Sequence, residues 1–241
     1  MVGPAAGGPA DFWAAVADDL ASLAVLHDRE PDAALLEALR AVGFPGNLGL
    51  RLTSEAAETA GRLLGGFFSG LADPVPDSVI DALAVDFADI YLTYGLRASP
   101  AESAWFDADG LDRQDSMFAV RAFYRRQGLV LTDSRKRPDD HIVHQLQFLG
   151  KLAEKGDSDA AAEAVRFLDE HPLRWVGLFA GRVASRAATP YFAGLALLTA
   201  AYAVELRVLL GRLCGEKGKS VAKRLAGFGL PLSAIGAGQH D

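Results

Sequence analysis

Apolar side chains recur at every third or fourth position along most of the chain, which is the spacing of one face of an α-helix. The pattern is clear after Arg137, where Ile142, Leu146, Leu149 and Ala153 form one apolar stripe. No long stretch alternates with the two-residue period of a β-strand, and no internal repeat is visible. The pattern therefore predicts an all-α, single-domain helical bundle of about nine to ten helices.

The predicted helices are separated by prolines, glycines and capping residues. Ser54 and Asp157 suit the position before a first helical turn, and Gly128 suits the position after a last one. A flexible tail is expected over 1–10, the helical domain over 11–214, and a basic, partly flexible segment over 215–241. The helices are predicted over residues 11–27, 31–43, 54–71, 80–94, 113–127, 137–152, 157–171, 175–183 and 190–214.

The helix over 137–152 has a marked beginning. Pro138 suits the first helical position, and Asp139 and Asp140 are predicted to lie in the first turn, where the helix dipole favours carboxylates. His141 follows beside the apolar stripe, near a predicted exposed helix end. These residues predict a well-started amphipathic helix.

Composition narrows the class of protein. The net charge of −7 argues against general nucleic-acid binding, and the single cysteine, Cys214, excludes an internal disulfide. A reducing cytoplasm is the expected location, and the N-terminus lacks the basic and apolar parts of a secretory signal. The long uncharged run after Arg186 is predicted to be a buried core helix rather than a membrane span.

Asp140, His141 and His144 are candidates for chemistry. A carboxylate beside a histidine can act as an acid–base pair, and two histidines three positions apart lie on one helical face, as metal ligands do. A zinc site needs a third protein ligand, and no suitable motif supplies one. The alternative is that the aspartate caps a helix and the histidines face solvent or fill the core.

The segment Pro100–Asp115 is predicted to be irregular and contains both carboxylate and aromatic side chains. Trp105 and Phe106 lie among five acids, which would suit a peptide that is both basic and apolar. The alternative is a solvated loop whose aromatic side chains fold back onto the core. The acids are Glu102, Asp107, Asp109, Asp112 and Asp115.

A basic set could bind phosphate groups, but no glycine-rich phosphate loop accompanies it, so a nucleotide-using enzyme is not expected. A solvated surface is the alternative. The set comprises Arg125, Arg126, Arg135, Lys136 and Arg137.

Five short motifs in order resemble the TorD/DmsD/NarJ family of chaperones for molybdenum-containing redox enzymes. The motif P-D-D-H over 138–141, followed by I-V-H-Q-L-Q-F-L-G-K-L, is similar to the family's E-P-x-D-H signature and its continuation. The other four are L-A-V-D-F-A-D-I-Y over 83–91, P-A-E-S over 100–103, V-R-A-F-Y-R-R-Q-G over 120–128, and H-P-L-R-W over 171–175.

The resemblance implies a TorD-like fold, no enzymatic activity and a dedicated cytoplasmic chaperone. Such a chaperone binds the apo catalytic subunit of a molybdopterin-dependent oxidoreductase, often through its twin-arginine signal peptide, and delays export until the cofactor is inserted. Molybdenum-cofactor biosynthesis proteins and the Tat translocase are further implied partners, without nucleic acid or stable membrane insertion. Contact with a guanine nucleotide or the molybdopterin cofactor is expected to be weak. The alternatives are a NarJ-type assembly chaperone for a non-exported molybdoenzyme and a metal-dependent helical hydrolase.

By this resemblance, the client's arginines would pair with carboxylates and its apolar part would lie against aromatic side chains. His141 is expected to orient Asp140 by a hydrogen bond. The residues expected to bind the signal peptide or client are Pro138, Asp139, Asp140, His141, Glu102, Ser103, Trp105, Phe106, Tyr124 and Asp86.

Two positions depart from the family pattern. Arg137 stands where the family has an acid, and its positive charge would repel a twin-arginine pair docking there. The pair is therefore expected nearer Asp139, Asp140 and the 102–115 loop, unless the client's leader differs. Ala101 replaces a commonly bulkier residue.

Overall fold

The computed structural model describes residues 8–131 and 137–216 and confirms the all-α prediction over these residues. They form nine α-helices and no strand, and the one isolated β-bridge among them pairs Ala101 with His141. The helices are α1 (Pro9–Asp28), α2 (Ala33–Ala41), α3 (Glu55–Gly70), α4 (Asp77–Phe87), α5 (Asp115–Arg126), α6 (Ile142–Lys155), α7 (Ser158–Glu170), α8 (Pro172–Arg186) and α9 (Pro190–Leu213).

Capping side chains fix several helix starts. Ser54 Oγ accepts the Ala57 N–H at 3.3 Å, and Asp157 Oδ1 accepts the Ala160 N–H at 2.7 Å. Both bonds satisfy a first-turn N–H that has no partner within its helix. The helix starts predicted at Ser54 and Asp157 are therefore confirmed.

Helix α9 forms the centre of the fold. It packs against α3, α7 and α8, while α1 packs against α6. Among the described residues α9 alone is long and apolar enough to cross a membrane, and 78% of its most apolar window is buried inside the fold. This burial agrees with the predicted core helix.

An irregular segment follows α4. The helix continues into a single π-helical turn, Ala88–Leu92, and the chain then runs without a long helix to α5, with one 3₁₀ turn at Ser103–Trp105. Arg182 Nη1 donates to the Arg97 carbonyl and Arg186 Nη1 to the Leu96 carbonyl, each at 2.7 Å. These two bonds hold the start of the segment against α8.

Parts of the predicted terminal regions lie outside the described residues. These parts are 1–7 of the expected tail and 217–241 of the expected basic segment. Arg135 and Lys136 of the basic set also lie outside. Helix α1 begins at Pro9, two residues before its predicted start.

Candidate functional site

The prediction that Asp139 and Asp140 lie in the first turn of a helix is wrong, because α6 begins at Ile142. His141 is the N-cap residue: its backbone is extended and its Nδ1 accepts the Val143 N–H at 3.2 Å. Residues 138–141 form a turn before the helix, closed by the His141 N–H donating to the Pro138 carbonyl at 3.1 Å. We call residues 138–141 the PDDH turn.

A backbone pairing with a distant segment explains this later start. The Ile142 N–H donates to the Pro100 carbonyl at 2.8 Å, and the Glu102 N–H donates to the Asp140 carbonyl at 3.2 Å. Helical geometry at Asp140 would direct its carbonyl along the α6 axis and away from Glu102. The tertiary pairing therefore overrides the local preference for an earlier helix start.

Asp140 is buried and holds the 3₁₀ turn. Its side chain is 0% exposed, and Oδ2 accepts the Ser103 N–H at 2.6 Å. Burial raises the pKa of this carboxyl, because the charged form loses its hydration. The expected hydrogen bond from His141 to Asp140 is not formed, since the Nδ1 of His141 accepts from Val143 instead.

Glu102 connects the same segment to two helices. Gln145 Nε2 on α6 donates to Glu102 Oε2 at 2.7 Å, and His171 Nδ1 at the α7–α8 junction lies 3.0 Å from Glu102 Oε1. Trp175 Nε1 then donates to Gln145 Oε1 at 3.3 Å. These side chains are all buried, so Glu102 is a structural link rather than an exposed charge.

Asp139 already has a cationic partner. Arg121 Nε on α5 lies 2.5 Å from Asp139 Oδ2, and the Asp139 carbonyl accepts the Tyr124 hydroxyl at 2.9 Å. Burial raises the pKa of Tyr124 well above its usual value, so the hydroxyl keeps the proton that it donates. The local sequence did not indicate that Arg121 pairs with Asp139, because the two residues are 18 positions apart.

Arg137, the departure from the family pattern, forms an ion pair with Asp28 at the end of α1. Its charge therefore has a partner within the fold. The neighbouring His144 Nδ1 lies 3.0 Å from the Pro138 carbonyl, and both His141 and His144 are buried. Burial lowers the pKa of each histidine, so both are neutral at pH 7.

Asp86 is buried and accepts hydrogen bonds at the start of α9. Its Oδ1 accepts the Ala188 N–H at 2.9 Å, and Oδ2 accepts the N–H and the hydroxyl of Thr189 at 2.7 and 2.6 Å. All three donors precede α9. Asp86 therefore fixes the entry of the chain into α9.

The aromatic residues of the segment differ in exposure. Trp105 is half-buried, its Nε1 donates to the Ser99 carbonyl at 2.9 Å, and the Arg182 guanidinium lies 4.6 Å from its ring centroid. Phe106 is 44% exposed, and the Arg174 guanidinium lies 4.3 Å from its ring. One aromatic side chain thus folds back, as one alternative expected, and the other remains at the surface.

A surface cavity of about 580 Å³ lies elsewhere, near Pro45 and Leu52, and a second of about 480 Å³ opens at the irregular segment. We call the second cavity the loop groove. Asp107 does not line it but closes its turn, because Asp107 Oδ2 accepts the N–H groups of Asp109 and Leu111 at 3.0 and 2.9 Å. The side chains that line it include Tyr94, Trp105, Leu111, Asp109 and Asp112, together with Arg97 and Arg182.

The sequence predicted only some of the residues that line the loop groove. Asp109 and Asp112 were among the noted acids, and Trp105 among the expected contacts, but Tyr94 and Leu111 were not singled out. In the sequence, the signal for Leu111 was an apolar residue between two acids, Asp109 and Asp112. In the structure, its side chain is 55% exposed. Within the described ranges 8–131 and 137–216, no three His, Cys, Asp or Glu side chains are placed to hold a metal ion.

Comparison with known proteins assigns the chain to a family. The sequence pattern of the nitrate reductase delta subunit family, to which TorD and NarJ proteins belong, matches residues 55–181. This is more than half of the chain, so the chain belongs to this family, and the predicted TorD/DmsD/NarJ resemblance is confirmed.

Two curated relatives carry chaperone names. The chain is 28% identical over 117 residues to chaperone protein YcdY of Escherichia coli K12, which covers 48% of this chain and 59% of YcdY. It is 27% identical over 145 residues to chaperone protein TorD of Vibrio vulnificus YJ016, covering 49% of this chain and 67% of that TorD. The matched parts thus span about three fifths to two thirds of these relatives. Both names describe chaperones rather than enzymes, which agrees with the prediction of no enzymatic activity.

Proposed function

We propose that this protein is a dedicated cytoplasmic chaperone for the apo catalytic subunit of a molybdopterin-dependent oxidoreductase. It binds the subunit through its twin-arginine signal peptide, aids cofactor insertion and delays export until assembly is complete. Family membership and the chaperone names of the two relatives support this role. The Tat translocase and cofactor-biosynthesis proteins are the further partners of this proposal, with only weak contact to a guanine nucleotide or the cofactor itself.

The observation that carries the proposal is the composition of the loop groove. It presents the Asp109 and Asp112 carboxylates beside Tyr94, Trp105 and Leu111. Arg97 and Arg182 also line it, and the Arg182 guanidinium is already placed over the Trp105 ring. A signal peptide has the complementary features, a pair of arginines followed by an apolar stretch. Arginine forms its best hydrogen bonds with carboxylates, and an apolar stretch gains free energy by covering exposed apolar side chains.

Charge placement favours Asp109 and Asp112 over the acids of the PDDH turn as direct partners. Asp109 is exposed, Asp112 half-buried, and neither belongs to an ion pair among the described residues. Asp139 and Asp140 are buried and already bonded to Arg121 and to the Ser103 N–H. The Oδ1 atoms of Asp139 and Asp140 have no hydrogen-bond partner among the described residues, but both residues are at most 3% exposed, so an incoming arginine cannot reach them while the PDDH turn keeps this geometry.

The expected site residues then divide into two groups. Trp105 and Phe106 contact the client, because they are the members with accessible rings. The buried members hold the irregular segment in place, and Asp86 acts through the start of α9. The buried members that hold the segment are Pro138, Asp139, Asp140, His141, Glu102, Ser103 and Tyr124.

A NarJ-type role for a non-exported client is the second candidate, favoured by the nitrate reductase description of the family. It differs in one respect that can be measured. A NarJ-type client segment binds without depending on paired arginines. A twin-arginine client loses affinity when its arginines are replaced.

Calorimetric titration with a synthetic peptide of paired arginines and an apolar stretch tests the proposal. Replacing both groove acids, D109N/D112N, should weaken binding by about threefold to tenfold, since ion pairs at exposed positions contribute about 0.2–1 kcal/mol each. The matched control is E37Q/D81N, which removes two exposed carboxylates from α2 and α4. Equal affinities of the wild type and D109N/D112N would contradict the groove assignment.

A further inference from the structure

Helix α8 carries a row of exposed side chains that repeats every four residues. Three arginines and one leucine occupy this row, and α8 contains no acidic residue. We call the row the α8 ridge, and its members are Arg174, Leu178, Arg182 and Arg186. Leu178 is 57% exposed, so the ridge presents apolar area together with positive charge.

Contacts within the fold orient the three arginines of the α8 ridge without neutralising them. The Arg174 guanidinium lies 4.3 Å from the Phe106 ring, and the Arg182 guanidinium lies 4.6 Å from the Trp105 ring. Arg182 and Arg186 each donate to a backbone carbonyl of the irregular segment at 2.7 Å. None of the three forms an ion pair with a carboxylate among the described residues. A guanidinium has several N–H donors, so each arginine can still bind a carboxylate.

Helix α4 and its π-helical turn carry a second ridge, of opposite charge. We call it the α4 ridge, and its members are Asp77, Asp81, Val85 and Asp89. Asp77 and Asp81 are exposed, Asp89 is half-buried, and Val85 is 59% exposed. Over residues 8–131 and 137–216 these carboxylates form no ion pair, and neither α4 nor the π-helical turn contains a basic residue.

The two ridges match residue for residue when their helices run antiparallel. Both repeat every four residues, so successive members are about 6 Å apart along each helix. Antiparallel alignment places Leu178 opposite Val85 and each arginine opposite an aspartate. Parallel alignment places both Leu178 and Val85 opposite charged residues. Rows with this spacing pack against each other when two helices cross at about −50°.

We propose that two copies of this chain pair about a two-fold axis, with the α8 ridge of each copy against the α4 ridge of the other. Asp86 of α4 accepts the Ala188 N–H at 2.9 Å just beyond the end of α8, so the helices that carry the ridges are neighbours in one chain. A two-fold axis uses both ridges of both copies, so none is left to extend the assembly. The ion pairs, each formed twice, are Arg174–Asp89, Arg182–Asp81 and Arg186–Asp77. This inference does not depend on the proposed function.

Sedimentation velocity of the full chain between about 1 and 200 µM tests the pairing. The sedimentation coefficient should rise from that of a monomer to that of a dimer as the concentration increases. D81R places like charges opposite each other at both symmetric contacts, so it should raise the dissociation constant about tenfold or more. The matched control E37R makes the same change of charge at an exposed position of α2 and should stay within about twofold of the wild type.

Exchanging the two charges of one proposed pair separates a lost contact from an altered fold. R182D should also weaken the dimer, whereas D81R/R182D should associate at least about threefold more tightly than either single variant. Such a recovery requires that the two positions meet across the interface. A chain that stays monomeric throughout the concentration range overturns the proposal and leaves the ridges to another partner. A dimer that D81R does not weaken, a double variant without recovery, or masses that grow beyond a dimer overturn it as well.

Discussion

The Ser103 N–H donates to Asp140 Oδ2 at 2.6 Å and so joins two motifs that are 37 positions apart. One motif lies within the irregular segment between α4 and α5, and the other precedes α6. Together with the Ile142–Pro100 and Glu102–Asp140 backbone bonds, this contact fixes the base of the loop groove. The PDDH turn therefore supports the groove without lining it.

Replacing Asp140 should separate its structural role from its charge. Asp140→Ala leaves the buried Ser103 N–H without its acceptor, which should lower the free energy of unfolding by about 1–3 kcal/mol. Asp140→Asn keeps an acceptor oxygen and removes a buried charge, so it should be more stable than the alanine variant at pH 7. Urea unfolding measures both. An alanine variant as stable as the wild type would contradict this role.

Stability should fall with acid because His27 is buried in its neutral form. Thr199 Oγ1 donates to the Leu195 carbonyl, so it accepts from His27 Nε2, and His27 Nδ1 accepts from the Tyr91 hydroxyl. Burial lowers the pKa of His27 to about 3 from 6.5. Between these values the unfolded chain binds a proton that the folded chain does not, which costs roughly 1.4 kcal/mol per pH unit.

The variant His27→Gln tests this origin of the acid dependence. Below pH 6.5 the unfolding free energy of this variant should fall less steeply with acid than that of the wild type. The difference between the two slopes should correspond to the uptake of one proton on unfolding. His141 and His144, whose pKa burial also lowers, add to the loss of stability in acid, whereas Asp19 and Asp140, whose pKa burial raises, oppose it. Parallel curves for the two proteins, measured by urea unfolding at several pH values, would show that His27 is not the source.

Gly194 lets α9 approach α3 closely. A Cβ at this position would lie 2.7 Å from Leu64 Cγ, and Leu64 is fully buried. Gly194→Ala should therefore destabilise the fold by about 1–3 kcal/mol through overpacking. Gly181→Ala on the exposed face of α8 meets no atom within 4 Å and should stabilise by about 0.5–1 kcal/mol. Thermal unfolding of the two variants should give shifts of opposite sign.

Much of this fold follows from local chemistry, and the rest from contacts between distant segments. Ser54 and Asp157 were predicted as helix caps because a cap needs only its own first turn. The start of α6 was placed too early because the pairing with Pro100 is not visible in the local sequence. For the same reason nothing indicated that Arg121 neutralises Asp139.

Arg137 should affect stability rather than signal-peptide binding. Arg137→Glu places two acids together at Asp28, which should cost up to about 1 kcal/mol because both side chains are partly exposed. The double variant D28R/R137E should recover this loss. Leader affinity should stay within about twofold, since the groove acids are unchanged. A gain of about tenfold in R137E would place the arginine pair at the PDDH turn instead.

A double-mutant cycle between the groove acids and the leader's arginines tests the central claim most directly. Calorimetry would measure wild type and D109N/D112N, each with a leader carrying paired arginines and with one carrying paired glutamines. Direct pairing predicts a coupling free energy of about 1 kcal/mol or more. Effects that add to within about 0.3 kcal/mol would show that the arginines bind elsewhere.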